Sequence, residues 1–154
     1  MKKRFTALFL AVLFVVTGVF AGQQQAFAQE SVEDVEISDI MTEDALAGYA
    51  QLINRGVYLA EGVSIINDAG GNRIGCGGIT TAAVKCKVSV TSIVEKKVNG
   101  SWAQVTSWTN TSASVYTVSI SKYLSVGSGY YYRVRSIHYA STDASSSYTS
   151  ALWM

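Results

Sequence analysis

Residues 124–139 of the chain, LSVGSGYYYRVRSIHY, decide its fold. At a period of two residues, one side of this stretch carries Tyr130, Tyr132, Val134 and Ser136, and the other carries Tyr131, Arg133, Arg135, Ile137 and Tyr139. The set with Val134 suits a protein interior, and the set with Arg133 and Arg135 suits solvent. This alternation predicts a β-strand with one buried face and one solvated face.

A leucine, a glycine and a tyrosine lead into this strand at a regular spacing. Leu124 closes the preceding strand, Gly127 turns the chain and Tyr130 opens the next strand, which gives the pattern L-x-x-G-x-x-Y. The pattern resembles the tyrosine corner of immunoglobulin-like sandwiches, in which the phenol hydroxyl bonds backbone a few residues upstream. The resemblance implies that Tyr130 is buried and bonded to backbone near residues 124–127.

The N-terminus has the features of an export signal. Three basic residues are followed by an apolar run over residues 5–20 and by Ala26-Phe27-Ala28. This order predicts a secretory signal peptide over residues 1–28, cleaved after Ala28. The alternative, a transmembrane anchor, needs a longer span of about 20 apolar residues. We therefore expect a secreted, extracellular protein with no stable membrane span after cleavage.

Residues 29–54 form an acidic leader. Its acids are Glu30, Glu33, Asp34, Glu36, Asp39, Glu43 and Asp44, and residues 29–44 contain no base. Up to about Asp39 the leader has little apolar mass, so it is expected to be flexible. Over residues 42–54, apolar side chains recur at helical spacing after a possible Thr42 N-cap, which predicts a short amphipathic helix.

Residues 55–154 change to short apolar runs separated by Gly, Asn and Ser. Strands are predicted near 57–60, 63–67, 72–79, 84–95, 101–109, 114–121, 129–140 and 147–153. Asn99-Gly100 is a strong signal for a tight hairpin. The pattern predicts an all-β sandwich of about seven antiparallel strands, preceded by the short helix of the leader.

Two family resemblances follow from these motifs. Residues 84–153 resemble the later strands of a fibronectin type III-like sandwich, although Val126 stands where that family usually has proline. The stretches RGVYLAEG, GITTA, NGSW, GYYYRV and SYTSALW are similar to small secreted proteins of Gram-positive bacteria that have no assigned function. These resemblances imply a fold and an extracellular location, and they imply no activity.

The two cysteines, Cys76 and Cys86, are ten positions apart. In an exported chain, an even number of cysteines favours a disulfide, and the alternation around each one directs both thiols toward the core. We expect a structural bridge between them. Two reduced, buried cysteines are the alternative.

Few residues suit catalysis. His138 is the only histidine, Asp143 follows it five positions later, and no G-x-S-x-G motif occurs. No cluster of metal ligands and no glycine-rich nucleotide motif is present. We therefore expect no enzyme activity, no metal and no cofactor.

Two surface features remain as candidate binding sites. If strands 84–95 and 129–140 are neighbours, their outward side chains form one basic and aromatic field made of Lys85, Lys87, Tyr131, Arg133, Arg135 and Tyr139. Such a field suits an anionic glycopolymer, while a plain solvated sheet face is the alternative. Trp102 and Trp108, six residues apart, are expected on one face of their strand, either packed or exposed as binding anchors.

These features favour a secreted, non-enzymatic module that binds a cell-wall glycopolymer or another envelope protein, with no role for nucleic acid. The alternative is a secreted antagonist or signalling protein whose leader is a masking segment. Residues 45–154 carry nine bases and four acids, a net charge of +5. The acidic leader is accordingly expected to lie over the four cations of the basic field and to compete with an anionic ligand there.

Overall fold

The computed structural model describes residues 31–50 and 56–154. The expected signal peptide lies outside the described residues, as do the first two and the last four residues of the leader and Arg55. The elements are β1 (Val32–Asp34), α1 (Ile37–Ile40), β2 (Leu46–Tyr49), β3 (Leu59–Asp68), β4 (Arg73–Val98), β5 (Ser101–Ser125), β6 (Tyr131–Ala140), β7 (Asp143–Tyr148) and β8 (Leu152–Trp153). The predicted all-β class, with antiparallel strands and one short helix, is confirmed.

Two long strands pass through both layers of the fold. β4 and β5 form a hairpin from Val98↔Ser101 to Arg73↔Ser125, and the Asn99-Gly100 turn has both residues at positive φ, 49° and 83°. The hairpin predicted from Asn-Gly is thus confirmed. The sequence predicts two shorter strands in place of each long one, near 72–79 and 84–95 for β4 and near 101–109 and 114–121 for β5.

The other edge of β4 is shared between two partners. Its first half pairs with β3 and its second half pairs with β6. Pairing is irregular between Thr81 and Val88, and Ser114 on β5 has a positive φ of 57°. Bulges bend strands. The bend folds the sheet onto itself, so that β3 faces β6 and β7.

The first layer comprises β1, β2, β3, the first half of β4 and the end of β5, and the second comprises the rest of β4 and β5 with β6, β7 and β8. Between the layers lies an apolar core of Ile66, Ile74, Cys76, Val94, Leu124, Val126, Tyr132 and Val134, continued by Leu59, Ala82, Val88, Val90, Val118 and Ala140. A third cluster, around Ile40, Val63 and Ile65, lies on the far side of the first layer.

The described part of the leader is ordered structure, so the expectation of a flexible leader is wrong. β1 pairs with β5 at residues 122–124. In α1, the Glu36 and Asp39 side chains form a capping box at the first turn. Ile40 is fully buried beside Val63 and Ile65. The leader therefore covers the outside of the first layer, which explains why β3 is buried on both faces.

The predicted helix over residues 42–54 is also wrong within its described part. Residues 46–49 form β2, which pairs with β3 from Leu46↔Ile66 to Tyr49↔Val63. Leu46 packs on the core while Tyr49 is 66% exposed. Residues at positions i and i+3 share a face in a helix but point to opposite faces in a strand, so Leu46 and Tyr49 do not pack on the same side.

The tyrosine corner exists, but its tyrosine is Tyr132. The Tyr132 hydroxyl donates to the Gly127 carbonyl at 2.9 Å, and the residue is 2% exposed. Tyr130, the residue expected there, is 40% exposed and lies under the Lys96 ammonium. The turn extends through Gly129, whose φ is 81°, and β6 begins only at Tyr131. Tyr130 therefore belongs to the turn.

The expected disulfide between Cys76 and Cys86 is wrong. Both thiols are free, and both residues lie on the single strand β4. A straight strand of ten residues spans about 33 Å, and the bend between Thr81 and Val88 shortens this distance. The two cysteines still pair with separate parts of β5, Cys76 with Lys122 and Cys86 with Val115, whereas a disulfide needs Cα atoms within about 7 Å. Cys76 is buried in the core, and burial raises the pKa of its thiol to about 12. Cys86 lies half-buried at the bend.

Candidate functional site: the outer face of the second layer

The outward side of the second layer collects most of the exposed aromatic side chains of this half of the molecule. We call it the outer face and define it by nine residues that share this side: Glu95, Lys97, Trp102, Tyr131, Arg133, Arg135, Tyr139, Tyr148 and Trp153. They come from five strands, and the ladder places them side by side. Several expose a large part of their rings, including Tyr148 at 62% and Trp153 at 57%.

Arg133 contacts three other side chains of the outer face. Its guanidinium carbon lies 4.3 Å from the centroid of the Trp102 ring and 5.6 Å from that of Tyr148. Its Nε donates to Glu95 Oε2 at 2.7 Å, while Arg135 Nε donates to Glu95 Oε1 at 3.3 Å. One carboxylate thus orients two guanidinium groups, each of which keeps further N–H donors.

The charge of this face is positive. Glu95 is nearly buried, at 8% exposure. Against its single negative charge stand Arg133, Arg135 and Lys97, whose ammonium lies 5.9 Å from the Trp102 ring. The surplus is two positive charges among flat aromatic rings. Tyr131 and Trp153 extend the aromatic surface through an edge-to-face contact with centroids 4.8 Å apart.

The structure divides the predicted basic field into two parts. Arg133 and Arg135 pair across the ladder with Glu95 and Ile93, whereas Val88 already pairs with Ala140 at the far end of β6. Lys85 and Lys87 precede Val88 and therefore lie at the bend. The ammonium of Lys85 is 5.7 Å from the Tyr116 ring. Of the six predicted residues, Tyr131, Arg133, Arg135 and Tyr139 share the outer face.

The leader lies elsewhere, which contradicts the expectation that it covers the basic field. Glu33 forms an ion pair with Arg73 at 3.8 Å, and Asp34 pairs with Lys122. Both contacts are on the first layer, beside the end of β5. The described leader residues make no ion pair with the outer face.

One bulge places Trp102 on the outer face, where the sequence pattern did not predict it. The register shifts between Val94 and Glu95, so that Val94 pairs with Thr106 and Glu95 with Gln104. The extra residue reverses the alternation of β5. Trp102 therefore joins the outer face, whereas Trp108 packs on the core. The two tryptophans lie on opposite faces, contrary to the prediction.

His138 is fully buried between the layers, in a chain of hydroxyl groups. Its Nδ1 is 2.8 Å from Thr80 Oγ1, and its Nε2 is 2.8 Å from Ser147 Oγ. Ser147 Oγ lies a further 2.7 Å from Ser64 Oγ. Burial lowers the pKa of His138 to about 4. Gly62 allows this packing, because a Cβ there would come within 2.4 Å of the imidazole ring.

This cluster lacks the arrangement of a hydrolytic triad. Asp143, the possible orienting acid, instead accepts the backbone N–H groups of Tyr58 and Leu59 at 2.7 and 3.0 Å. Ser147 is 1% exposed, so no substrate reaches its hydroxyl. Within residues 31–50 and 56–154, no three His, Cys, Asp or Glu side chains are grouped to hold a metal ion.

The fold and the outer face define a β-sandwich with an aromatic, cationic sheet surface. Residues 29–152 match the model of a family of unknown function, DUF6147, and the chain belongs to that family. No curated protein sequence matches significantly. Among solved structures, the solution structure of R. palustris CsgH is similar over 55% of this chain and 86% of that one, at 15% identity and a TM-score of 0.38. In the described part of the chain, no helix has the length and apolarity that a bilayer crossing requires.

Proposed function

We propose that the protein is an exported, non-enzymatic binding module whose outer face holds an anionic glycopolymer of the cell envelope. The observation that carries this proposal is Arg133, whose guanidinium lies over the Trp102 and Tyr148 rings and is oriented by Glu95. Aromatic rings offer flat surfaces to sugars, and guanidinium groups donate paired N–H bonds to phosphate or carboxylate.

Export rests on the N-terminal residues. The basic start, apolar run and Ala26-Phe27-Ala28 supply the signal for secretion. An extracellular location would bring the outer face to the polyanions of the wall. The outer face spreads its aromatic and cationic side chains over five strands, which suits a long polymer whose successive repeats can each bind one group.

The test is a binding titration of the purified protein with poly(glycerol phosphate) teichoic acid, with a neutral glucan in parallel. Arg135→Gln and Trp102→Ala should each weaken teichoic acid binding about ten-fold, which corresponds to about 1.4 kcal/mol. Binding should also weaken as salt is added.

The chain offers a matched control for each variant. Lys85 and Tyr116 form a cation–aromatic pair away from the outer face. Lys85→Gln and Tyr116→Ala remove the same kinds of group and should leave affinity within two-fold. Equal losses from Arg135→Gln and Lys85→Gln would show that net charge, rather than the outer face, governs binding. No teichoic acid binding at low salt would refute the proposed ligand.

A further inference from the structure

The longest free strand edge among the described residues belongs to the first half of β5, residues 101–112. One edge of this segment pairs with β4 from Val98↔Ser101 to Val88↔Ser112. β1 pairs with β5 only at residues 122–124. No backbone–backbone hydrogen bond joins residues 101–112 to a described element other than β4, and the one side-chain bond to this backbone, from Ser89 Oγ to the Asn110 carbonyl, also comes from β4. At about 3.4 Å per residue the free edge is roughly 40 Å long.

This edge lacks the usual protection. Natural edge strands are kept short or carry charges or proline, because their unpaired N–H and C=O groups otherwise recruit another strand. Residues 101–121 contain no charged residue and the chain contains no proline. The bulge near Val105 is the single irregularity, and residues 106–112 pair regularly with β4.

The other edges of the described chain are short. β1 has three residues, β2 four, β7 six and β8 two. β1 also carries Glu33 and Asp34, and β7 begins with Asp143. The contrast sets the β5 edge apart as a surface that is open for pairing.

We propose that a second copy of this chain pairs with the β5 edge, antiparallel and around a two-fold axis normal to the sheet. Two copies of an uncharged edge bring no like charges together, and Ser and Thr side chains form favourable cross-strand pairs. Such pairs already exist within the chain, where Ser89 meets Thr111 and Thr91 meets Thr109, each with hydroxyl oxygens 2.8 Å apart. A two-fold interface of this kind closes as a dimer.

The dimer has a geometric consequence for the outer face. A two-fold axis normal to the sheet leaves both copies facing the same way. The two outer faces then form one continuous surface, with both Trp102–Arg133 pairs on the same side. The dimer itself does not depend on what the outer face binds.

The expected association is weak and reversible. Pairing of one strand buries less area than the roughly 1,200–2,000 Å² of a stable protein interface. We therefore expect the full chain, purified in the form that producing cells accumulate, to dimerise at high micromolar concentration in sedimentation velocity. Hydrogen exchange should slow in residues 106–112 as the concentration rises.

The decisive variant is Thr109→Lys with Thr111→Lys, which places two charges per copy on the edge. It should lose the dimer and the concentration-dependent protection. Thr91→Lys is the matched control: it adds the same side chain to the same face and removes the same Thr91–Thr109 bond, but it lies on the interior strand β4. Thermal melting verifies that each variant is folded.

Three results would overturn self-pairing. The first is a wild-type monomer at every concentration, which would leave a strand of another protein as the occupant of the edge. The second is a dimer that survives Thr109→Lys with Thr111→Lys, which would place the interface elsewhere. The third is equal loss in the Thr91→Lys control, which would assign dimerisation to the outer face.

Discussion

At the scale of single residues, His138 has a structural role that its sequence position did not indicate. Both ring nitrogens contact neutral hydroxyl groups, Thr80 from the first layer and Ser147 from the second. A neutral imidazole can donate at one nitrogen and accept at the other, which matches two hydroxyl partners. The ring therefore links the layers in its uncharged form.

The folded protein should lose stability as pH falls, because His138 binds a proton more readily in the unfolded chain. Its pKa is about 4 in the fold and about 6.5 when unfolded. The stability that neutral His138 contributes, about 3 kcal/mol, is fully present above the unfolded pKa and is lost as the pH falls from about 6.5 to about 4. Urea unfolding at pH 7 and pH 4 measures the loss.

His138→Gln is the control for this prediction. Glutamine keeps a donor and an acceptor but does not titrate in this range. The variant should be less stable than wild type at pH 7 and should lose clearly less stability on acidification. The same pH dependence in both proteins would assign the acid sensitivity to carboxylates.

At the scale of elements, the length of β4 determines that Cys76 and Cys86 do not form a disulfide. The alternation around Cys76 and Cys86 is compatible with two consecutive strands or with one long strand. The structure has one strand of 26 residues, so the cysteines lie at separate places along it. Cys76 packs among Ile66, Ile74 and Val94, and Cys86 lies at the bend.

The thiols should differ in reactivity toward an alkylating reagent in the native protein. Cys86 should react, because it is half-buried, and Cys76 should react only after unfolding, because it is enclosed in the core with a thiol pKa of about 12. Mass spectrometry of peptides after alkylation with and without urea measures both. Reductant should leave the melting temperature unchanged. If neither thiol is alkylated even in urea, the two cysteines are bonded to each other and the disulfide predicted from the sequence is correct.

At the scale of the whole molecule, the acidic leader is part of the folded unit. Ile40 has no exposed surface and packs on Val63 and Ile65. The charges of the leader point to other partners, with Glu33 at Arg73 and Asp34 at Lys122. Apolar burial thus holds the segment in place, since exposed ion pairs contribute only about 0–1 kcal/mol each.

Ile40→Ala should lower the free energy of unfolding by about 2–5 kcal/mol, the usual cost of such a truncation in a core. Met41→Ala is the neighbouring control. Met41 is 55% exposed, so its truncation should change stability by less than about 0.5 kcal/mol. Chemical denaturation of both variants measures the difference. Equal, small effects would mean that the leader does not stabilise the sandwich.

The sequence by itself determined the local features of this protein. The alternation over residues 131–139, the Asn99-Gly100 hairpin and the antiparallel all-β class follow from side-chain periodicity and turn conformation, which depend on residues close in the chain. A tyrosine corner was also foreseeable, but the choice of Tyr132 depended on where the turn through Gly129 ends.

Only the tertiary structure decided which residues meet. Joining four expected strands into β4 and β5 separated Cys76 from Cys86, and one bulge put Trp102 beside Arg133. The register of β4 against β6 placed Glu95 between two arginines and left Lys85 at the bend. Alternation along a strand shows which side chains share a face, but it does not show which residues of the neighbouring strand they contact. Register and bulges decide that, and they are set by packing across the whole sheet.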